Sequence, residues 1–224
     1  MPLVSPPFVN AIVPKTRPYP EPQILWPTAR GFGNNGGSDS GKFPSLTGIK
    51  ARRAECPPEA LSAFVVAANL AQDRILVLDD FLFKPVKGQV KQTRYDQILS
   101  WLPDGLAAND IRFLTNSVGH QDEQQAIRKQ FNERIEAINQ RASRRAGMAK
   151  IEIRFSLSRD FPYVHDRFAI IDNELWHFGA TVGGLHSLVN AATRGWDADA
   201  HEAVRFFNDA WDGDGNALRG GSRG

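Results

Sequence analysis

Three short apolar runs separated by two stretches of helical period constrain this chain more than any other feature. The runs are Arg74-Ile-Leu-Val-Leu-Asp79, Ile111-Arg-Phe-Leu-Thr115 and Ile151-Glu-Ile-Arg-Phe155. The first is apolar between charged ends and reads as a strand buried on both faces; the last alternates with the two-residue period of a strand. Between them a helix is expected over about Thr93 to Leu102, stopped by Pro103-Asp104-Gly105. A longer one is expected from Asp122 to about Ala146, where Ile127, Phe131, Ile135, Ile138 and Ala142 recur at helical spacing and Asp122 with Gln125 supplies a start signal. Strand, helix, strand, helix, strand demands crossover connections between parallel neighbours. The expected fold class is therefore α/β, a layered, mixed and mostly parallel sheet flanked by helices.

The flanks add to this frame. Pro57-Pro58 opens a helix whose Leu61, Phe64, Val65 and Ala68 share one face. Val164 to Asp172 and Asn173 to Ala180 read as two further strands joined by a tight turn at Asp172-Asn173. Asp199 to Trp211 reads as a closing helix, with Asp199 and Glu202 at capping-box spacing and Val204, Phe207 and Trp211 as its buried stripe. Residues 1–56 are rich in Pro and Gly and hold the low-complexity run Gly31 to Gly41, so they are expected to be a flexible arm. Within that arm Lys15, Arg17, Arg30, Lys42, Lys50, Arg52 and Arg53 outnumber Glu21, Asp39 and Glu55, and Ile24-Leu25-Trp26 is a segment able to dock on the domain. The folded domain is expected over 57–212 and a Gly- and Arg-rich tail over 213–224.

Composition narrows the class. With 224 residues, 42% hydrophobic and 23% charged, the chain suits one ordinary globular domain, and no apolar run approaches membrane-spanning length. Met1-Pro-Leu-Val-Ser-Pro-Pro has neither the charged start nor the apolar stretch of a secretory signal, and the single Cys56 excludes an intrachain disulfide. A cytoplasmic protein is the expectation, with Cys56 an inert loop thiol. The net charge of +2 attracts little by itself.

Chemistry is concentrated in the hairpin. His165-x-Arg167-x-x-x-x-Asp172, then Gly179 after six intervening residues, resembles the H-x-K-x4-D-x6-G-S signature of the phospholipase D superfamily. Bacterial phospholipase-D-like domains with H-D-R-F here and G-A-S or G-A-T after it are closer still, matched by His165-Asp-Arg-Phe168 and Gly179-Ala-Thr181. The phospholipase-D-like C-terminal domain of MIT-domain proteins has a similar H-D-R and is regarded as a lipid-binding module. The resemblance covers roughly Ile75 to Trp211 and implies a phospholipase-D-like fold. It also implies two histidines, a nucleophile and a general acid, supplied by two motif copies. This chain carries one copy, so activity would imply a homodimer with one His165 from each chain at a two-fold axis.

The residues have a chemistry of their own. A neutral imidazole at His165 can attack phosphorus to give a phosphohistidine. Arg167, two residues on and on the same face of a strand, can hold the equatorial oxygens bidentately. Asp172 would bias an imidazole's tautomer, although strict alternation puts it on the opposite face. A two-residue turn sets Ile171 against Glu174 and His165 against Ala180, where the family usually has serine. Val182 stands where it has asparagine, and Arg167 where it has lysine. His177 falls on the other face with Phe168 and Leu175 and reads as a core or edge histidine. His186 sits in a loop that can cover the site; it reads as surface, as do His120 and His201 near helix starts.

For substrate, Arg128, Lys129, Arg134, Arg141, Arg144, Arg145 and Lys150 outweigh Asp122, Glu123, Glu133 and Glu136 along the long helix and its end. Arg141, Arg144 and Arg145 are expected to contact substrate together with Gly179, Ala180 and Thr181. The leading expectation is a phosphodiesterase on nucleic acid that needs no metal or other cofactor. The alternative is a degenerate module binding phosphate groups of nucleic acid, anionic lipid or a protein partner, with anionic phospholipid ranked after nucleic acid. A protein-interaction domain using the arm is a third.

Overall fold

The computed structural model describes residues 19–26, 41–47, 50, 60–116, 119–141, 147–186, 188 and 190–213. Seven strands form one sheet: β1 (Gln23–Leu25), β2 (Arg74–Leu78), β3 (Asp110–Leu114), β4 (Lys150–Arg154), β5 (Phe168–Ile171), β6 (Glu174–Phe178) and β7 (Ala192–Asp197). Their spatial order is β1-β7-β6-β5-β2-β3-β4. The helices are α1 (Ser62–Asn69), α2 (Lys91–Leu99), α3 (Gln121–Arg141), the single turn α4 (Leu157–Asp160) and α5 (Ala203–Asp212).

The fold is mixed α/β. The expected parallel unit is present, with β2 beside β3 and β3 beside β4 in parallel register. The remaining pairings, β2 with β5, β5 with β6, β6 with β7 and β7 with β1, are antiparallel. The sheet is therefore not mostly parallel, and the reason is local. The Asp172-Asn173 turn folds the chain straight back, and a hairpin can only add antiparallel strands. Its register is as expected from a two-residue turn, with Ile171 opposite Glu174 and Phe168 opposite His177.

Both faces of the centre are covered, so β2 is buried along most of its length. Ile75 and Val77 join a core with Phe64 and Ala68 of α1, Tyr95 and Ile98 of α2, and Ile127, Phe131, Ile135 and Ile138 of α3. Leu76 and Leu78 turn the other way, to Leu157 of α4 and Phe207, Ala210 and Trp211 of α5. Helix α3 has Asp122 and Glu123 in its first turn and Arg141 in its last, charges that complement its dipole. Phe64 meets Trp101, Trp176 and Phe178 edge-on at 5.1, 5.4 and 5.2 Å between ring centroids. Trp101 in turn presses on a 3₁₀ turn at Val182–Gly184. A Cβ added to Gly183, whose φ is +79°, would lie 2.6 Å from the indole.

Two expectations are corrected and one strand is new. The arm does not run unbroken to 56: Gln23–Leu25 is an edge strand paired with β7, and Leu25 is buried. Strand β7 was not anticipated, because Ala192-Thr-Arg-Gly-Trp-Asp197 lacks alternation. Gly195 is needed there, since a Cβ would lie 2.7 Å from the carbonyl oxygens of Pro20 and Glu21. The closing helix starts at Ala203 and not Asp199, because Asp197 holds the intervening turn: its Oδ1 accepts the Ala200 amide at 2.8 Å and its backbone oxygen the His201 amide at 3.1 Å. Glu202, at φ +56°, then precedes the helix without a side-chain cap. Cys56, Pro57 and Pro58, Arg144 and Arg145, and the tail after Gly213 lie outside the described residues.

At the free edge of β4 the strand carries Lys150, Glu152 and Arg154, and Arg128 Nε of α3 donates to the Ile153 carbonyl at 3.2 Å. Among the described residues no helix is long and apolar enough to cross a membrane. Replacing Phe64, fully buried among three aromatic rings, by alanine should cost about 3–5 kcal/mol of unfolding free energy. Urea denaturation of the Phe64→Ala variant measures this; a cost below about 1 kcal/mol would show that the three rings do not depend on it.

Candidate functional site

The motif straddles the start of β5. Residues 164–167 precede the strand, and the last bond of the ladder runs from the Phe178 amide to the Arg167 carbonyl at 3.0 Å. His165 and Ala180 thus lie beyond the pairing that would have set them face to face. Alternation still operates. Asp166 goes to the α5 side with Phe168, Leu175 and His177, and these line a cavity of about 450 Å³. There His177 Nε2 and Asp166 Oδ1 are 2.5 Å apart, and His177 is exposed rather than a core group. His201, from the turn before α5, borders the same cavity.

Arg167 goes to the other side, where a pair of carboxylates holds it. Its Nε donates to Asp80 Oδ1 at 2.6 Å and lies 3.7 Å from Asp79 Oδ1. Its guanidinium carbon is 5.0 Å from the centroid of the Phe81 ring, and Lys84 Nζ is 5.0 Å from that same centroid. Held by Nε, the two terminal nitrogens of Arg167 hydrogen-bond to no described residue. Arg167 lines a cavity of about 270 Å³ together with Phe81, Lys84, Lys87, Thr181 and His186.

Asp79 organises these walls. It is wholly buried just past the end of β2, where its Oδ1 accepts the Phe81 amide and its Oδ2 the Val182 amide, each at 2.7 Å. The first bond shapes the Asp80–Phe81 turn; the second pulls in the segment that carries Thr181. Val182 therefore takes part through its backbone where the resembled family offers an asparagine side chain. Burial pushes the Asp79 carboxyl up to about 7, against the pull of those two amides and of Arg167, while the charge of Asp80 adds to the rise.

Behind the cavity lies Arg94 of α2, fully buried. Its Nη2 donates to the Leu185 carbonyl at 2.5 Å, and its Nη1 finds no partner among the described residues. Burial lowers it to about 10, opposed by the charge of Asp79. His186, next along the chain, accepts the Leu188 amide on Nδ1 at 3.0 Å, which leaves its ring proton on Nε2 in the neutral form. Its pKa is pushed down, first by burial and then by the nearby charges of Arg167 and Arg94.

Several expected site residues stand elsewhere. Asp172 sits at the opposite end of β5 with φ +55° and orients no imidazole. Its Oδ1 accepts the amides of Gln72, Asp73 and Arg74 at 3.0, 2.7 and 3.2 Å and closes the start of β2. His165 is exposed and hydrogen-bonds to no described residue. Gly179 donates its amide to the Ala191 carbonyl at 3.0 Å, Ala180 is buried, and of the three residues 179–181 only Thr181 lines the cavity. Arg141 is paired to Asp104, which also takes Arg134 at 2.6 Å, so part of the expected basic patch is neutralised. Residues Asp79, Asp80, Lys84, Lys87 and Arg94 were not expected. The available signal was position: Asp79 ends the first parallel strand, and the carboxyl ends of such strands are where open α/β sheets form crevices.

Asp172→Ala should destabilise the fold by about 2 kcal/mol through the amides it strands, while leaving the cavity around Arg167 intact. Urea denaturation with a parallel measurement of phosphate affinity separates the two; loss of affinity at unchanged stability would put Asp172 back in the site.

No protein-family model and no curated protein matches the chain. A solved structure similar to it is that of TrmBL2, an archaeal chromatin protein described as showing a novel mode of DNA binding, with 12% sequence identity over 89% of this chain and a TM-score of 0.41. The match spans 55% of that structure's chain.

Proposed function

We propose that this chain is a phosphate-binding module of phospholipase-D-like fold, which takes a phosphate group of its ligand into the cavity beside Arg167. The observation that carries this reading is the state of that arginine: it lines the cavity, is fixed by its Nε against Asp80, and bonds through neither terminal nitrogen to a described residue. A guanidinium pre-oriented in this way binds a tetrahedral anion without first paying to immobilise its side chain. Lys84 and Lys87 add charge, Thr181 adds a hydroxyl and His186 adds an N–H donor at the same cavity. The phosphate of a nucleic acid is the first ligand to test, with anionic lipid after it. Isothermal calorimetry with inorganic phosphate at low salt should show binding by the wild type. The exposed pair changed together, Lys84→Ala with Lys87→Ala, should weaken it about tenfold or more. Absence of binding in the wild type rejects the reading.

A phosphodiesterase is the second reading, favoured by the exposed imidazole of His165, which has no partner among the described residues. Such a ring is free to attack phosphorus, and a second copy of the chain would supply the histidine that protonates the leaving oxygen. Hydrolysis of single-stranded DNA in EDTA should then be measurable and should disappear in His165→Ala. Equal rates in the two proteins reject catalysis and leave binding standing.

A further inference from the structure

At the end of β2 two carboxylates compete for one guanidinium. Asp80 Oδ1 has taken the Nε of Arg167 at 2.6 Å, and Asp79 Oδ1 is left at 3.7 Å from the same nitrogen. Among the described residues the other charges around Asp79 are few. Arg94 of α2 is felt electrostatically but spends its Nη2 on the Leu185 carbonyl. From the turn at 181–185 come only an amide and uncharged side chains, and His186 follows them. From β3 comes the Leu114 carbonyl, which accepts the Asp79 amide at 3.1 Å.

An anion seated on the free nitrogens of Arg167 becomes a third claimant on that cation. Asp80 reaches solvent, whereas Asp79 has no exposed surface through which water could screen it. The cheapest response is for Asp79 to become neutral. Its two amide bonds can survive the change, because the protonated carboxyl keeps acceptor capacity on both oxygens. Resting on the anion-site reading above, we propose that the cavity is a proton-coupled anion receptor, in which Asp79 takes up one proton from solvent as the anion binds to Arg167.

The sign follows from linkage. Binding adds negative charge beside Asp79 and favours its protonated form, and by reciprocity a protonated Asp79 favours binding. Affinity is therefore highest where Asp79 is already protonated and falls as pH rises through neutrality. His186 titrates lower, because burial and the two arginines depress it, so its charging is confined to more acidic solution.

Sulfate is the suitable probe, since it does not titrate in this range. Calorimetric titration of the full chain should give an affinity about tenfold weaker at pH 8.5 than at pH 6.5. Repeating the titration at pH 7.5 in buffers of different ionisation enthalpy should show uptake of roughly half a proton per sulfate. Asp79→Asn should bind sulfate equally at both pH values. Asp80→Asn, which gives Asp79 sole use of Arg167, should keep the coupling and move its midpoint to lower pH, a result that does not depend on the Asp79 variant folding. A flat profile in the wild type, no proton uptake, full pH dependence in Asp79→Asn, or an unmoved midpoint in Asp80→Asn would each overturn the coupling while leaving an anion site. Failure of sulfate to bind at any pH would instead reject the anion site itself, and the coupling with it.

Discussion

The architecture of the site depends on one buried carboxylate whose demands are met mainly by backbone. Asp79 is the first residue past β2, and its oxygens accept amides from two segments, at Phe81 and Val182, separated by about a hundred positions in the sequence. A buried charge without partners would cost several kcal/mol, so these segments are not free to drift apart. One consequence is that the walls of the cavity are set before any ligand arrives. Another is that Arg167 is drawn inward, against the ring of Phe81, instead of lying on the surface as an ordinary arginine would.

The same strand alternation that builds the core divides the chemistry between the two faces of the sheet. Arg167 falls on the side of Val77 and Ala169, whose core is packed by α1, α2 and α3, and Asp166 shares a side with α5. Adjacent residues of one short motif thereby serve two cavities, one rimmed by Arg167, Lys84 and Lys87 and the other by the three carboxylates Asp166, Glu202 and Asp209 together with Arg205, His177 and His201. Helix α1 and the 3₁₀ turn hold this division in place. The Leu61 amide donates to the Gly183 carbonyl at 2.7 Å, and Trp101 fills the space that a side chain at 183 would need.

Much of the frame was legible because it is periodic. The runs at 75–78, 111–114 and 151–154, the apolar stripe of α3 and the register of the Asp172-Asn173 hairpin all follow from spacing alone. What resisted reading was what depends on distant partners. The sequence around Gln23–Leu25 carries no period, and it is a strand only because β7 presents an edge to it. Asp172 occupies the position of a motif carboxylate, but three amides at the start of β2 lie within its reach, and that is a fact of topology. Similarly, His186 was legible only as part of a loop able to cover the site, and it read as a surface residue, whereas it lines the cavity with Arg167. Its place beside Arg167 is created by the Arg94 bond to Leu185 and by the Asp79 bond to Val182.

The two outer strands bear on a different matter, how such a sheet coexists with copies of itself at high concentration. An open sheet invites extension by any extended chain that can pair with its rim. Among the described residues one rim is β1, only three residues long, which offers little template. The other is β4, where charged side chains alternate along the strand and Arg128 already occupies the Ile153 carbonyl. Neither rim favours growth of the sheet from molecule to molecule. As far as the described residues go, the sheet thus offers side-chain surfaces rather than open backbone to a neighbouring copy.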